Sequence, residues 1–364
     1  LPQGEDGAVR AAAKMLAAAE FPLIIADRAA RTPQGLKLLV ELAETLQAGV
    51  IDQGGRMNFP WRHPLNVTYA QELAVGNCDC VLGVELTDFY FTAKPFPKTA
   101  KKISLNAGDL FMKSTYQEFE RYQELDLAIA GDGEATLPYL IEAVKKELAA
   151  NKRSSAKARG AKLGEYHKMA MDRTRQAWAV GWDKAPISVG RMVMELYDAI
   201  RNERWGLTGK FADSARLWDA SEHYAHVGGS GGAGVGYDCT SSLGGALAHK
   251  DEGRIAVALC GDGDMMMSPG VMWTAAHARL PLLYVAHNNH AWNQELIWVQ
   301  GIAGRRSRGA DRCHIGNTMQ DPYIDFGAMA KSMGLHGETV KDPKDLDRKS
   351  TRLNSSHLGI SYAV

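Results

Sequence analysis

The sequence predicts an α/β protein of two doubly wound domains, with mainly parallel sheets and helices on both faces. Three observations carry this. Short apolar runs such as Pro22–Ala26, Gly49–Asp52 and Cys80–Val84 alternate with stretches of helical spacing, the pattern of βαβ units. A second set, Arg254–Cys260 and Pro281–Ala286, ends in turns rich in Gly or Asn. At 364 residues the chain has room for two domains of about 150 residues each.

Residues 7–20 have helical spacing and precede the buried strand Pro22–Ala26. A helix is expected over Gln34–Leu46 and a strand at Gly49–Asp52. Further strands are expected at Cys80–Val84, Lys102–Leu105 and Leu127–Ala130, then a helix over Glu134–Ala149. Residues 1–150 thus read as one domain. Residues 151–186 read as a linker, basic and Ser/Ala-rich at first, then helical around Tyr166, Met169, Met171 and Trp178.

The second domain is placed at 187–347. It opens with a helix over Val189–Arg201, an irregular stretch, and a strand expected at Arg216–Asp219. Gly229–Gly234 then matches G-x-G-x-x-G, but no long buried strand leads into it, so it does not make a dinucleotide site. Arg254–Cys260 reads as a strand, and Ser268-Pro269 has the form of an N-cap and first helical residue. Gly301–Arg312 reads as a basic loop and Asp325–Met333 as a helix stopped by Gly334. Residues 348–364 break the pattern and are set aside as a non-native tail.

Lys+Arg and Asp+Glu both number 42, so no charge excess points to nucleic acid or an anionic membrane. No apolar run approaches the roughly 20 residues of a membrane span. The five cysteines read as reduced thiols of a cytoplasmic protein, with Cys78 and Cys80 lacking the second pair a zinc site needs.

The chemistry concentrates at Gly261-Asp262-Gly263-Asp264 and Asn288-Asn289. The two parallel strands would end side by side, one offering the Asp262 carboxylate and the other the Asn289 amide oxygen. Magnesium takes such oxygen ligands and leaves its other places to phosphate and water. The glycines beside Asp262 would admit a diphosphate close to the backbone.

Gly-Asp-Gly, 24 residues and Asn-Asn resembles the cofactor motif of thiamine diphosphate enzymes of the acetolactate synthase and 2-keto acid decarboxylase group. Ile24–Arg28 and Asn58–Leu65 resemble that family's central domain, and Gly236–Ala248 its helix before the Gly-Asp-Gly strand. The resemblance implies that Asp262, Asn289 and the Ala291 carbonyl bind Mg2+, and that Gly261, Asp262, Gly263, Asp264, Asn289 and Ala291 hold thiamine diphosphate. Val235 falls where relatives keep a larger apolar side chain under the cofactor, and Thr240 replaces a common Pro.

It implies a catalytic Glu at Glu295, six residues beyond Asn289, and His290 and His287 are candidates for substrate contact. The implied reaction is C–C cleavage or carboligation of a 2-keto acid through the cofactor's C2 ylid, in a homodimer or tetramer. FAD, bound by some relatives in the central domain, is left undecided. No residue here aligns to the family's activating glutamate, which lies in an N-terminal pyrimidine-binding domain. The chain alone is therefore expected to be inactive. The alternative is a cofactor-binding subunit with no activity of its own.

Overall fold

The computed structural model describes residues 1–86, 95–108, 124–148, 150–211, 214–229 and 234–346, with 150–156 described in backbone only. The tail at 348–364 and the middle of the G-x-G-x-x-G pattern, 230–233, lie outside them. The chain divides into two compact units. Unit 1 is Leu1–Arg175 together with Asp219–Gly229, and unit 2 is Gln176–Trp218 together with Ser230–Val364.

Unit 1 runs α1 (Asp6–Ala18), β1 (Pro22–Ala26), α2 (Pro33–Leu46), β2 (Gly49–Asp52), α3 (Gln71–Asn77), β3 (Cys80–Val84), β4 (Lys101–Asn106), β5 (Leu127–Ala130) and α4 (Gly133–Glu147). Its five strands are all parallel, in the order β2-β1-β3-β4-β5. That order belongs to doubly wound sheets, and β1 and β3 are buried at every position, as central strands covered on both faces must be. The helix ends follow local chemistry. Glu5 accepts from the Gly7 and Ala8 N–H groups at 2.7 Å each, Thr32 caps α2 with Pro33 behind it, and Asp132 caps α4.

A buried polar hub ties the β1 and β2 ends together. Asn58 is fully buried. Its Oδ1 accepts from the Ala29 and Ala30 N–H groups, and its Nδ2 donates to Asp52 Oδ1 at 2.7 Å. Asp52 also accepts from the backbone of Gly54 at 2.8 Å and Asn58 at 3.1 Å. The loop so held receives segment 219–229. The Gly229 N–H donates to the Gly54 carbonyl, the Trp61 N–H donates to the Ala220 carbonyl, both at 2.9 Å, and the Trp61 and His226 rings meet edge to face.

α5 (Ala150–Ala179) is one continuous helix across most of the expected linker. Its Ala, Lys and Arg residues are good helix formers, and no proline interrupts them. Unit 2 continues with α6 (Val189–Ile200), β6 (Trp205–Lys210), α7 (Tyr237–Lys250), β7 (Ile255–Gly261), α8 (Asp262–Met267), α9 (Val271–His277), β8 (Leu282–His287), α10 (Asn293–Arg305) and α11 (Phe326–Ser332). The described sheet is parallel, in the order β6-β7-β8. Ala246, Ala258, Met272, Leu282, Tyr284 and Phe326 belong to one core beneath it.

Three expectations are corrected here. Arg216–Asp219 is a turn, and the strand is β6 instead. Its Trp-Gly-Leu-Thr-Gly-Lys has two glycines and no clear alternation, yet Gly209 is needed, since a Cβ there would lie 2.4 Å from the Asp238 carbonyl of α7. Trp218, in the turn, is fully buried against Trp205 and Tyr197 and donates Nε1–H to the Val193 carbonyl. Ser268 does not start a helix. α8 begins at Asp262, directly off the strand, and Ser268 follows its last residue. α10 carries the first part of the expected Gly301–Arg312 loop as helix through Arg305. No helix among the described residues is long and apolar enough to cross a membrane.

Burial raises the Asp52 carboxyl from the ordinary 3.8 to about 6, against the opposing pull of its Asn58, Gly54 and Phe59 hydrogen bonds. Asp52 holds a proton more tightly folded than unfolded. Its contribution to stability is full below the unfolded value and lost as the pH rises through about 6. Asp52→Asn is expected to flatten the decline of stability between pH 4 and 7 by on the order of 3 kcal/mol, read from urea denaturation at each pH.

Candidate functional site

The register of unit 2 sets the site. Gly261 pairs with His287 at the last rung of the β7–β8 ladder, so Asp262 and Asn288 are the first residues beyond two adjacent strand ends. Asp262 is buried, and its Oδ1 accepts from the Gly263 N–H at 3.0 Å. The backbone N–H groups of His290 and Ala291 lie near enough to favour its charge, but neither meets hydrogen-bond geometry at Oδ2. Oδ2 is buried without a partner among the described residues. Burial is the larger effect and pushes the carboxyl above its usual range.

The loop beyond β8 is fixed on both sides. Asn288 is buried and its Oδ1 accepts from the His290 N–H at 3.2 Å. Asn289 is exposed and its Oδ1 accepts from the Ala291 N–H at 3.1 Å. These side-chain turns hold His290 in the left-handed region, φ 57°, with its ring 4.7 Å from that of Tyr323. An antiparallel bridge joins Ala291 to Thr318. It uses the Met319 N–H to the His290 carbonyl at 2.7 Å and the Trp292 N–H to the Asn317 carbonyl at 2.9 Å. The Ala291 carbonyl takes no part in that bridge.

On the other side, the Gly236 N–H donates to Asp264 Oδ1. Gly236 has φ 91°, and a Cβ on it would lie 2.9 Å from that of Met267, so only glycine enters α7 here without strain. Val235, just before it, is 46 % exposed.

The structure therefore brings Asp262 near the His290 and Ala291 backbone and Gly263 against Trp292, and links Asp264 to the residue after Val235, while the Asn289 side chain is exposed and engaged by the Ala291 N–H. Glu295 stands one turn into α10, and no hydrogen bond joins it to this cluster among the described residues. His287 is stacked on Phe211 at 5.5 Å, and burial depresses its pKa and favours the neutral ring.

Sequence reasoning missed two neighbours. Asp238, in the first turn of α7, is pushed up to about 7 by burial and by Asp264 beside it. A carboxylate at a helix start is so common that nothing marked it. Trp292 packs on Gly263, a contact no spacing rule reveals.

Among the described residues no three His, Cys, Asp or Glu side chains gather as a metal cage. Any ion at Asp262 must be held by a mixed set of carboxylate, amide and main-chain oxygens, which suits a hard cation. The orphaned Oδ2 fits such an ion. Cys78 and Cys80 are buried free thiols, both pushed up to about 12 mainly by burial, and are inert.

A parallel α/β unit with a buried aspartate at one strand end beside an Asn-Asn loop at the next defines a class, and comparison with known proteins identifies which. The family described as thiamine pyrophosphate enzyme, C-terminal TPP binding domain, matches residues 208–359, and its central domain matches residues 9–140. The chain belongs to the thiamine pyrophosphate-dependent enzyme family.

A probable 2-ketoarginine decarboxylase of Pseudomonas aeruginosa is 25% identical over 358 residues, covering 93% of this chain and 56% of the relative. Benzoylformate decarboxylase from Polynucleobacter necessarius superposes with a TM-score of 0.72 at 16% identity, over 100% of this chain and 64% of that one. A thiamine diphosphate-dependent 4-hydroxybenzoylformate decarboxylase of Rhodococcus jostii gives 0.69 at 18% identity, over 98% and 63%. The chain thus spans a little under two thirds of the length of these relatives.

An unpartnered buried carboxylate oxygen destabilises the ion-free fold. Asp262→Asn is expected to raise the melting temperature of the ion-free chain by roughly 2–4 °C, while abolishing any further rise on adding Mg2+ with thiamine diphosphate. Differential scanning calorimetry with and without ligand checks both signs.

Proposed function

We propose that this chain is the central and diphosphate-binding part of a 2-keto acid decarboxylase that uses thiamine diphosphate and Mg2+. The observation that carries the reading is the buried, unpartnered Oδ2 of Asp262 beside the Asn289–Ala291 loop. In this reading Asp262, Asn289 and the Ala291 carbonyl hold the ion. The turn Gly261–Asp264 lies against the diphosphate, and Val235, with its exposed side chain, meets the thiazolium ring. When bound, the cofactor supplies the electron sink that a decarboxylation needs.

The chain's own residues orient and exclude. The apolar burial around β7 and β8 keeps water from Asp262. Glu295 and His290 are assigned proton transfer to and from the reacting carbon, and the neutral His287 ring contacts substrate. Decarboxylation is favoured over carboligation because the named relatives are decarboxylases of 2-keto acids.

Unit 1 is read as a scaffold rather than a flavin site. The carboxyl edge of its sheet is filled by its own side chains. Glu85 accepts from the Gly133 N–H at 2.7 Å, and Glu134 from the Arg31 N–H at 2.7 Å. Asp132 caps α4 and pairs with the Arg31 guanidinium. These carboxylates occupy the helix N-terminus that a dinucleotide phosphate would use.

A homodimer or tetramer is proposed, for which exposed Ile297, Trp298 and Ile302 on α10 supply apolar surface. A cytoplasmic location accords with five free cysteines.

Isothermal calorimetry tests the reading. The chain is expected to bind thiamine diphosphate only with Mg2+ present, and Asp262→Ala to weaken that binding more than about tenfold. Equal binding by Asp262→Ala would overturn the ion assignment. In this reading the activating glutamate comes from a pyrimidine-binding domain, so the 364-residue chain alone is expected to release little CO2 from benzoylformate or 2-ketoarginine. Release should rise when that domain is supplied, and a coupled CO2 assay reads it.

A further inference from the structure

We propose that Trp292 is the positioning residue that sets the distance between the two loops of the ion site, and that residue 263 is glycine in order to receive its ring. This rests on the reading of Asp262, Asn289 and Ala291 as that site. A Cβ built on Gly263 would lie 2.7 Å from Cε3, 2.9 Å from Cζ3 and 3.3 Å from Cδ2 of Trp292. The benzene edge of the indole therefore rests on the Gly263 backbone. The other flanking glycine behaves differently, for a Cβ on Gly261 would meet nothing nearer than Asp264 Oδ2 at 3.8 Å. Of the two glycines beside Asp262, only the second is dictated by a neighbouring side chain.

The contact joins the residue after one proposed ligand to the residue after another. Gly263 follows Asp262 and donates its N–H to Asp262 Oδ1, so the placement of Gly263 orients the carboxylate, whose Oδ2 has no donor in hydrogen-bond geometry among the described residues. Trp292 follows Ala291, and its backbone is anchored twice. Its N–H donates to the Asn317 carbonyl at 2.9 Å and its carbonyl accepts from the Leu296 N–H at 3.0 Å. Because the ring is held at its root, a push at its tip is passed to the loop that carries it. Mg2+ demands ligands at about 2.0–2.1 Å in near-ideal geometry, so shifts of a few tenths of an ångström count.

Gly263 is in an α-helix, where alanine is the better residue, so without the ring Gly263→Ala should do no harm. Five proteins test the proposal: the wild type, Gly263→Ala, Trp292→Leu, the double variant, and Trp292→Phe as the conservative control. Calorimetry reads Mg2+-dependent thiamine diphosphate affinity, and melting reads the ligand-free chain. Gly263→Ala is expected to lose about tenfold in affinity and to melt at least about 2 °C lower. Trp292→Leu is expected to weaken binding, and Trp292→Phe to bind nearer the wild type. The double variant is expected to bind and melt above Gly263→Ala, because the smaller side chain makes room for the new methyl group.

Wild-type affinity and melting in Gly263→Ala, or purely additive losses in the double variant, would overturn the proposal while leaving the ion site standing. Absence of Mg2+-dependent binding in the wild type would instead remove the ion-site reading on which the proposal rests.

Discussion

Unit 2 is organised by one unmet demand. Asp262 sits where a strand becomes a helix without an intervening loop, buried, with one carboxylate oxygen satisfied by the next residue and the other without a hydrogen-bond partner among the described residues. Leaving a buried carboxylate oxygen in that state costs free energy that a fold of ordinary stability does not spend without return. The surrounding arrangement makes sense as a means of holding that oxygen in place. β8 ends beside β7, Asn288 and Asn289 turn the backbone through His290, and residues 317–319 pin the turn from outside. The same oxygen is the one to which the proposed function assigns a cation.

How far this was legible follows from which signals are local. The parallel α/β class, all five strands of unit 1 and the strands carrying Gly-Asp-Gly and Asn-Asn are short apolar runs between turn residues, and a run of that kind identifies itself. β6 escaped because its reason is tertiary. Gly209 is there for the backbone of α7, not for its own strand. Trp218 escaped for the same cause, its aromatic neighbours drawing a turn into the core where a strand was expected. Ser268 carried the signature of a helix start and lies just beyond a helix end, because Gly261 at the strand tip leads straight into helical backbone. The residues proposed to hold the ion were named from a family pattern. The neighbours that would tune them, Asp238 and Trp292, depend on distances between segments more than 25 residues apart and leave no periodic trace.

The two units use carboxylates in opposite ways. In unit 1 the acidic groups at the sheet edge are satisfied from within, by the Arg31 guanidinium and by helix and loop N–H groups. Asp52 likewise is wrapped in donors from its own loop. In unit 2 an aspartate at the equivalent end of a strand keeps an oxygen in reserve. Two sheets built on the same parallel principle therefore differ, one using its polar groups for internal order and the other leaving one buried oxygen unpartnered among the described residues.

Segment 219–229 leaves unit 2 after Trp218, packs with unit 1 at Gly54 and Trp61, and is followed by the rest of unit 2. Neither unit is consequently a contiguous stretch of coding sequence. A gene cut once at the boundary after Arg175 would strand eleven residues on the wrong half, with their hosts at Gly54 and Trp61 left uncovered. Any recombination that exchanges one unit between relatives has to carry this strap with its host, which makes the two halves heritable as a linked pair rather than as interchangeable modules.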